Sequence, residues 1–539
     1  MPPLSILMIP HVANDIVQQL TKQDLRACVL VSRAWYTTLR RFLHAESRLQ
    51  FNPPGSHTAF HRRLQDIQEW GSCFRHLALI DKGGFSSKYN KHDMNWPLQT
   101  LEVLNAHCRG LRRLSLKLVS MRHIEQLKTL LGQNIHVVDV TIEFKRRMHK
   151  SDAEHLQDLL QQCPGMRSLH LQYARVQLQT LLAIGAVHAH LAALTIVDSV
   201  HIDALLHPLL PSGQASSQAE GSVVAVGQNG RALGHPSFPS LLFLSIHQEG
   251  SNMDIIARLL QHCPKLRALT LSIRGRSSWG PICAAFREWR CCPELHSITL
   301  ERRAAKADSV FAGAHSEAAW EWVLRHLRGH EHMHHVGMTG RYLTQATFIT
   351  IAQHHQHRIR SLTLINQLPV PAEGVRVILT RCSMLEVFDY VPIANLDCGG
   401  NYSEILDIRT VAEYLWGCPR LSFLRAPMGW AFPRGTSSGQ MNQLVQTELY
   451  KAWEDHFMRQ LALLTALEEL HPVLNRATYT PKMRAEQKNL SWTFSQDSFP
   501  LAALTKLKVL DLDSFDGKGV AKADRDRIRQ QWPDITLLG

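Results

Sequence analysis

The chain lacks the marks of most function classes. No apolar run reaches the roughly 20 residues that cross a bilayer; the longest, Leu181 to Val197, is interrupted by His188 and His190. The first ten residues are broken by prolines and lead into polar sequence, so a basic segment followed by an apolar leader core is missing as well. Neither a membrane span nor a secretory leader is expected. No C-x-x-C pair occurs, and Cys291-Cys292 has no second pair at zinc-finger spacing, so no structural metal is expected. A Gly-rich phosphate loop and a G-x-S-x-G elbow are also missing; Gly83-Gly84 reads only as an isolated turn. No catalytic residues, and no cofactor, are expected.

What is present is ordinary for folded protein: 45% hydrophobic and 19% charged residues. At 539 residues the chain exceeds one compact core, which leaves several domains or one long repeat array. The 11 cysteines are odd in number and form no framework of closely spaced pairs. That favours a reducing compartment, cytoplasmic or nuclear. The net charge of +13 would draw acidic partners or nucleic acid, but the basic residues are scattered. Short runs such as Lys145-Arg146-Arg147 and Arg302-Arg303 follow strand cores and read as solvated rims, so nucleic-acid binding is not expected.

A repeat carries most of the information. The strings CPGMRSLHL from Cys163, CPKLRALTL from Cys263, CPELHSITL from Cys292 and CPRLSFLRA from Cys418 are nearly uniform, with variants at Cys108 and Cys382. Relaxing the first residue gives further L-x-x-L-x-L cores: Phe74-Leu77-Leu79, Ile135-Val138-Val140, Leu191-Leu194-Ile196, Leu241-Leu244-Ile246, Met333-Val336-Met338, Ile359-Leu362-Leu364 and Leu507-Leu510-Leu512, with a weaker one at Leu467. Many spacings fall near the roughly 20 to 29 residues of a leucine-rich repeat. Between the cores lie segments of helical period, such as Ile255-Ile256-Leu259-Leu260. Each unit therefore reads as strand plus helix, with the helix ending near a buried cysteine and proline barring its continuation. Such units cannot bury both faces alone and must stack.

The passage resembles the cysteine-containing leucine-rich repeats of F-box proteins. The expectation is an α/β fold, an irregular solenoid over 49–539 with parallel strands on the concave face and helices on the convex face. Polar stretches near 211–239, 429–443 and 475–497 read as inserted loops.

Residues 1–48 follow a different pattern. Ile9-Pro10 opens a helix with Ile16, Val17 and Leu20; Asp24 is a candidate N-cap for a second with Leu25, Cys28 and Val29; Ser32 can cap a third with Trp35, Leu39 and Phe42. The string IPHVANDIVQQLTKQDLRACVLVSRAWYTTL resembles the F-box through Ile9, Pro10, Ile16, Leu20, Asp24, Leu25, Val29, Val31, Ser32 and Trp35. His11 stands where the family commonly has an acid. The resemblance implies docking through Ile9, Pro10, Ile16, Leu20, Leu25, Val29, Val31, Ser32 and Trp35 onto the Skp adaptor of a cullin-based (SCF) ubiquitin ligase. On this reading the chain is a non-catalytic substrate-recognition subunit, a monomer within a hetero-complex that also contains the cullin scaffold, selecting a target protein for ubiquitination and proteasomal degradation. The alternative is a leucine-rich-repeat scaffold for protein binding without a ligase, its N-terminal helices capping the open end.

His330, Glu331 and His334 satisfy H-E-x-x-H. The repeat register puts them in a helix-to-strand turn, where the i,i+4 geometry a metal needs is lost. Strand alternation instead exposes the residues flanking the second leucine of each core. Candidate target-binding positions are Arg113, Lys117, His170, Phe243, Phe423, Arg425, Asp511 and Asp513, basic early and acidic late, with Phe243 and Phe423 as aromatic anchors.

Overall fold

The alternation written into each core is obeyed on the strands. In Ser168–Gln172, Leu169 and Leu171 are buried while Ser168, His170 and Gln172 are half-buried, and Ala193–Val197 repeats the pattern. The computed structural model describes residues 17, 19–32, 35, 36, 39, 42, 45–50, 57–80, 96–118, 123–144, 150–173, 178–197, 238–249, 253–274, 280–288, 291–303, 321, 323–325, 327, 330–340, 343–366, 370–392, 406–426, 428–429, 448–471, 503–511 and 522–538. The expected inserted loops lie outside these residues, apart from 238, 239 and 429.

The chain divides into two units, residues 1–248 with 262–264, and residues 249–261 with 265–539. In the first, β1 (Glu46–Gln50), β2 (His76–Ile80), β3 (Arg113–Leu118), β4 (Asp139–Phe144), β5 (Ser168–Gln172), β6 (Ala193–Val197) and β7 (Phe243–Glu249) pair in parallel and in chain order. Parallel neighbours need a crossover, which a helix supplies in most repeats. After α1 (Lys22–Val29), the helices α2 (His57–Trp70), α3 (Trp96–His107), α4 (Ile124–Gln133), α5 (Lys150–Gln161) and α6 (Leu178–Val187) pack each on the next as a second layer. Leu101, Leu104, Leu127, Leu130, Leu156 and Leu159 meet the inward strand leucines there, all fully buried or nearly so.

The second unit repeats the plan. Its sheet holds β8 (Ala268–Arg274), β9 (Ser297–Arg303), β10 (His335–Gly340), β11 (Ser361–Asn366) and β12 (Val387–Pro392), all parallel. After β13 (Leu406–Asp407), it continues through β14 (Phe423–Arg425), then past β15 (Met428–Gly429) to β16 (Glu469–His471), β17 (Val509–Asp511) and β18 (Thr536–Leu538). β13 and β15 form a separate parallel pair. The helices are α7 (Met253–Gln261), α8 (Gly280–Glu288), α9 (Gln345–His355), α10 (Ala372–Arg381), α11 (Ile408–Val411), α12 (Glu448–Ala462) and α13 (Lys522–Gln531). Both units are leucine-rich-repeat-like, as the sequence pattern requires.

A column of buried residues marks where helix gives way to strand. Cys108, Cys163, Cys263, Cys292, Cys382 and Cys418 occupy it, as expected, and burial pushes the thiols of Cys108, Cys163, Cys382 and Cys418 up to about 12. In most repeats the turn closes by one bond, the N–H three residues on donating to the column carbonyl: Met166 to Cys163 (3.0 Å), Leu191 to His188 (2.9 Å), Met333 to His330 (3.2 Å) and Leu421 to Cys418 (3.1 Å). Three members of the column spend a ring nitrogen on a carbonyl of the preceding repeat. His330 Nε2 meets Cys291 O at 3.2 Å, His355 Nε2 meets Leu324 O at 2.9 Å, and Trp532 Nε1 donates to Leu504 O at 2.7 Å.

Asn134 holds the same place, and it corrects one register. The core expected at Ile135-Val138-Val140 is Val137-Val140-Ile142: Ile135 is 55% exposed, Val137 is buried, and Val140 and Ile142 sit opposite Leu114 and Leu116. Apolar character alone put the repeat two residues early.

Gly417 lies in a tight turn. Its N–H donates to Leu379 O at 2.8 Å, and a Cβ there would stand 2.3 Å from the Thr380 carbonyl oxygen. Main chain cannot swing aside as a side chain can. Gly417→Ala is expected to lower stability by about 1–3 kcal/mol, read as a shift in the urea midpoint; an unchanged midpoint would mean that the turn relaxes freely.

Candidate recognition surfaces

The N-terminal helical segment comes first. Thr21, not Asp24, is the N-cap of α1: its hydroxyl accepts from Asp24 N (3.2 Å) while Asp24 Oδ2 accepts from Thr21 N (3.0 Å), a reciprocal capping box. Those bonds, led by the Thr21 hydroxyl, hold the Asp24 carboxyl below its ordinary value. Ser32 does cap the next turn, accepting from Trp35 N at 3.2 Å. Leu25 and Leu39 are buried, and Tyr36 meets Trp70 of α2 edge-on at 6.5 Å, which fastens the segment to the first repeat. Leu20, Val29 and Trp35 are half-buried and Ser32 is exposed. Leu30 and Val31 stand out at 86% and 69% exposed. Ile9, Pro10 and Ile16 lie outside the described residues.

The second surface is the sheet face turned away from the helices. Its register brings opposite charges together. Arg113 Nε lies 2.6 Å from Asp139, and Lys117 pairs with Glu143, so the basic residues expected to attract a partner already have acids on β4. His170 is held neutral chiefly by burial, with Gln172 and Glu143 opposing. On β7, Phe243 is 54% exposed beside Ser245, whose hydroxyl is 2.9 Å from His247 Nε2.

In the second unit, Arg425 grips Asp389 with two bonds of 2.6 and 2.7 Å and lies over the Phe423 ring, 5.7 Å from its centroid. His471 packs 5.4 Å from Phe423 and 3.4 Å from Glu469. Phe423, half-buried in this cluster, is a braced plate, unlike exposed Phe243. Asp511 lies on β17; Asp513 is outside the described residues. Among the described candidates, Phe423 and Arg425 touch one another. The basic members of the expected charge trend, Arg113, Lys117 and Arg425, each face an acid on a neighbouring strand.

A third set was missed. The residue after the first apolar position of each core bonds through its main chain to its counterpart one repeat back. In the first unit Arg112 N donates to Arg75 O (2.7 Å), and Arg167 follows two rungs later. In the second the rungs run through Arg267, His296, His334, Arg360, Glu386, Ser422, Glu468, Lys508 and Thr536, linked by bonds of 2.7 to 2.8 Å. These side chains form a largely charged rim beside the sheet face. The constant offset from the first apolar residue was the signal.

His330, Glu331 and His334 do not make a metal site. His330 is buried on the Cys291 carbonyl, Glu331 is exposed, and His334 Nδ1 meets Arg358 O at 3.2 Å. Among the described residues, no group of three His, Cys, Asp or Glu side chains is placed to hold a metal ion. No described helix is long and apolar enough to cross a membrane.

No family model matches the chain, and no curated protein matches it. Among solved structures, the chain is similar to one from a crystal structure of the Rad7 and Elc1 complex in yeast, at 11% identity and a TM-score of 0.34, over 99% of this chain and 98% of that one. At that score the fold still rests on the strand register above, and the function on the surfaces.

Proposed function

We propose that the chain is the substrate-recognition adaptor of a cullin-RING (SCF) ubiquitin ligase: the N-terminal helices hold the Skp adaptor, the repeats hold a target protein, and the chain performs no chemistry itself. It would act in the cytoplasm or nucleus. The observation that carries the reading is the exposure of Leu30 and Val31 on a segment anchored from behind by Leu25 and Leu39. Two adjacent aliphatic side chains are left in water on a segment whose Leu25 and Leu39 already serve the fold, and burying each against a partner is worth about 1.5–3 kcal/mol. An end cap alone would need neither outside. The half-burial of Leu20 and Trp35 fits capping as well, and both roles can coexist. On the target side, the Arg425–Asp389–Phe423 cluster offers a rigid polar and aromatic platform.

The test is a pull-down of purified Skp adaptor by the full chain, beside Leu30→Ser/Val31→Ser. Both positions face solvent, so the variant is expected to keep the wild-type unfolding curve while adaptor affinity falls at least about tenfold. If the intact chain retains no adaptor, the ligase reading fails and the leucine-rich-repeat scaffold takes its place.

A further inference from the structure

Three imidazoles meet on the rim of the second unit. His296 stacks on His332 with centroids 5.3 Å apart and planes 13° from parallel, and His334 meets His296 edge-on at 5.7 Å. The Nδ1 atoms of His296 and His334 rest on the main-chain carbonyls of Glu294 and Arg358. A carbonyl can only accept, so both Nδ1 atoms carry hydrogen and Nε2 is the nitrogen that takes up a further proton. His332 is exposed, so the cluster opens to solvent.

Among the described residues, two of the three neighbouring carboxylates already face an arginine. Of the neighbouring acids, Glu294 lies 3.3 Å from Arg267 and Glu386 lies 3.8 Å from Arg360. Glu331, exposed beside His332, is the remaining carboxylate of these turns. Behind the rim stand His330, His335 and His355, buried or half-buried, with Arg358 donating to His330 O at 3.5 Å; His357 is exposed beside them. Burial chiefly lowers the pKa values of His330 and His355, and the Arg358 guanidinium acts in the same direction on both. With Nδ1–H spent on a carbonyl, Nε2 becomes a donor only when it is protonated, and an anion is the ligand that favours this. An anion of about −2 with several acceptor oxygens can engage more than one ring at once, where a carboxylate has only two oxygens. A phosphate monoester carries about −1.5 to −2 at neutral pH and three acceptor oxygens for three rings.

We propose that His296, His332 and His334 form a phosphate-binding site that takes up protons as the anion binds. This is independent of what the N-terminal helices hold. The experiment is titration calorimetry of the full chain with inorganic phosphate, with a phosphoserine peptide, and with its serine and aspartate counterparts, at about pH 6 and about pH 8 at fixed ionic strength. Saturable binding is expected, at least about tenfold tighter at the lower pH, with uptake of about one proton, and weakened at least about tenfold in His296→Gln/His332→Gln. His332→Gln alone, at an exposed position, shows the loss without risk to folding. Inorganic phosphate matching the phosphopeptide would mark a free anion as ligand; preference for the phosphopeptide would mark a protein-borne group. No saturation by either, equal affinity for the aspartate peptide, or binding unchanged by pH and by both variants would overturn the proposal.

Discussion

Asn134→Leu is expected to destabilise the first unit by about 3–6 kcal/mol, far more than the change in size suggests. In most other turns the N–H three residues after the column residue bonds directly to the column carbonyl. Between Cys108 and Leu111 the Asn134 amide stands in the gap: Oδ1 accepts from Leu111 N (2.9 Å) while Nδ2 donates to Cys108 O (2.9 Å) and to Leu130 O (2.7 Å). Leucine would leave one buried donor and two acceptors stripped of these bonds, each costing about 1–3 kcal/mol if nothing replaces it. Asn134→Asp keeps the acceptor in both forms and one donor when protonated, so its loss should be smaller than that of the leucine variant at low pH and grow as the carboxyl ionises. Urea unfolding of the three proteins measures this. A leucine variant within about 1 kcal/mol of wild type would show that the turns can close without the amide.

The second large effect is acid lability. His170, His188, His262, His330, His335 and His355 all have pKa values lowered chiefly by burial, His330 to about 4. A histidine held below its unfolded value is neutral in the fold, and the unfolded chain takes up the proton that the fold refuses. Stability from these groups is therefore complete above about pH 6.5 and lost as pH falls from there through the folded values. His330 alone accounts for about 3 kcal/mol between pH 6.5 and 4. The slope of unfolding free energy against pH, from urea curves between about pH 8 and about pH 5, should exceed the roughly 1.4 kcal/mol per pH unit of a single proton. His330→Asn should flatten it. A flat profile over that range would contradict the burial of these rings.

Where a repeat opens on Cys-Pro, the sequence was enough to place turn, strand and inward face, because proline stops the helix and the small thiol fits the column. Where Asn134 or Trp532 holds that place the signature disappears: Val137 was passed over for Ile135, and β18 was not foreseen. The helices of residues 20–39 were legible, but Thr21 and Asp24 both suit an N-cap, and only the reciprocal bonds separate them. Face positions followed from alternation. Their partners did not, since Arg113 meets Asp139 and Arg425 meets Asp389 only through cross-strand register. The exposed Leu30 was missed for a related reason, because which aliphatic residue of a short helical segment stays outside depends on what the segment leans against.

The charged rim has a geometric consequence. A long segment separates His296 from His334 and a shorter one separates His334 from Arg360, yet each is the next rung of the same hydrogen-bonded ladder. Neighbouring parallel strands stand about 4.8 Å apart whatever the length of chain between them. The rim is thus a ruler: its graduations are set by the peptide backbone, its markings by one replaceable residue per repeat, and inserts elsewhere in a repeat leave the scale unchanged.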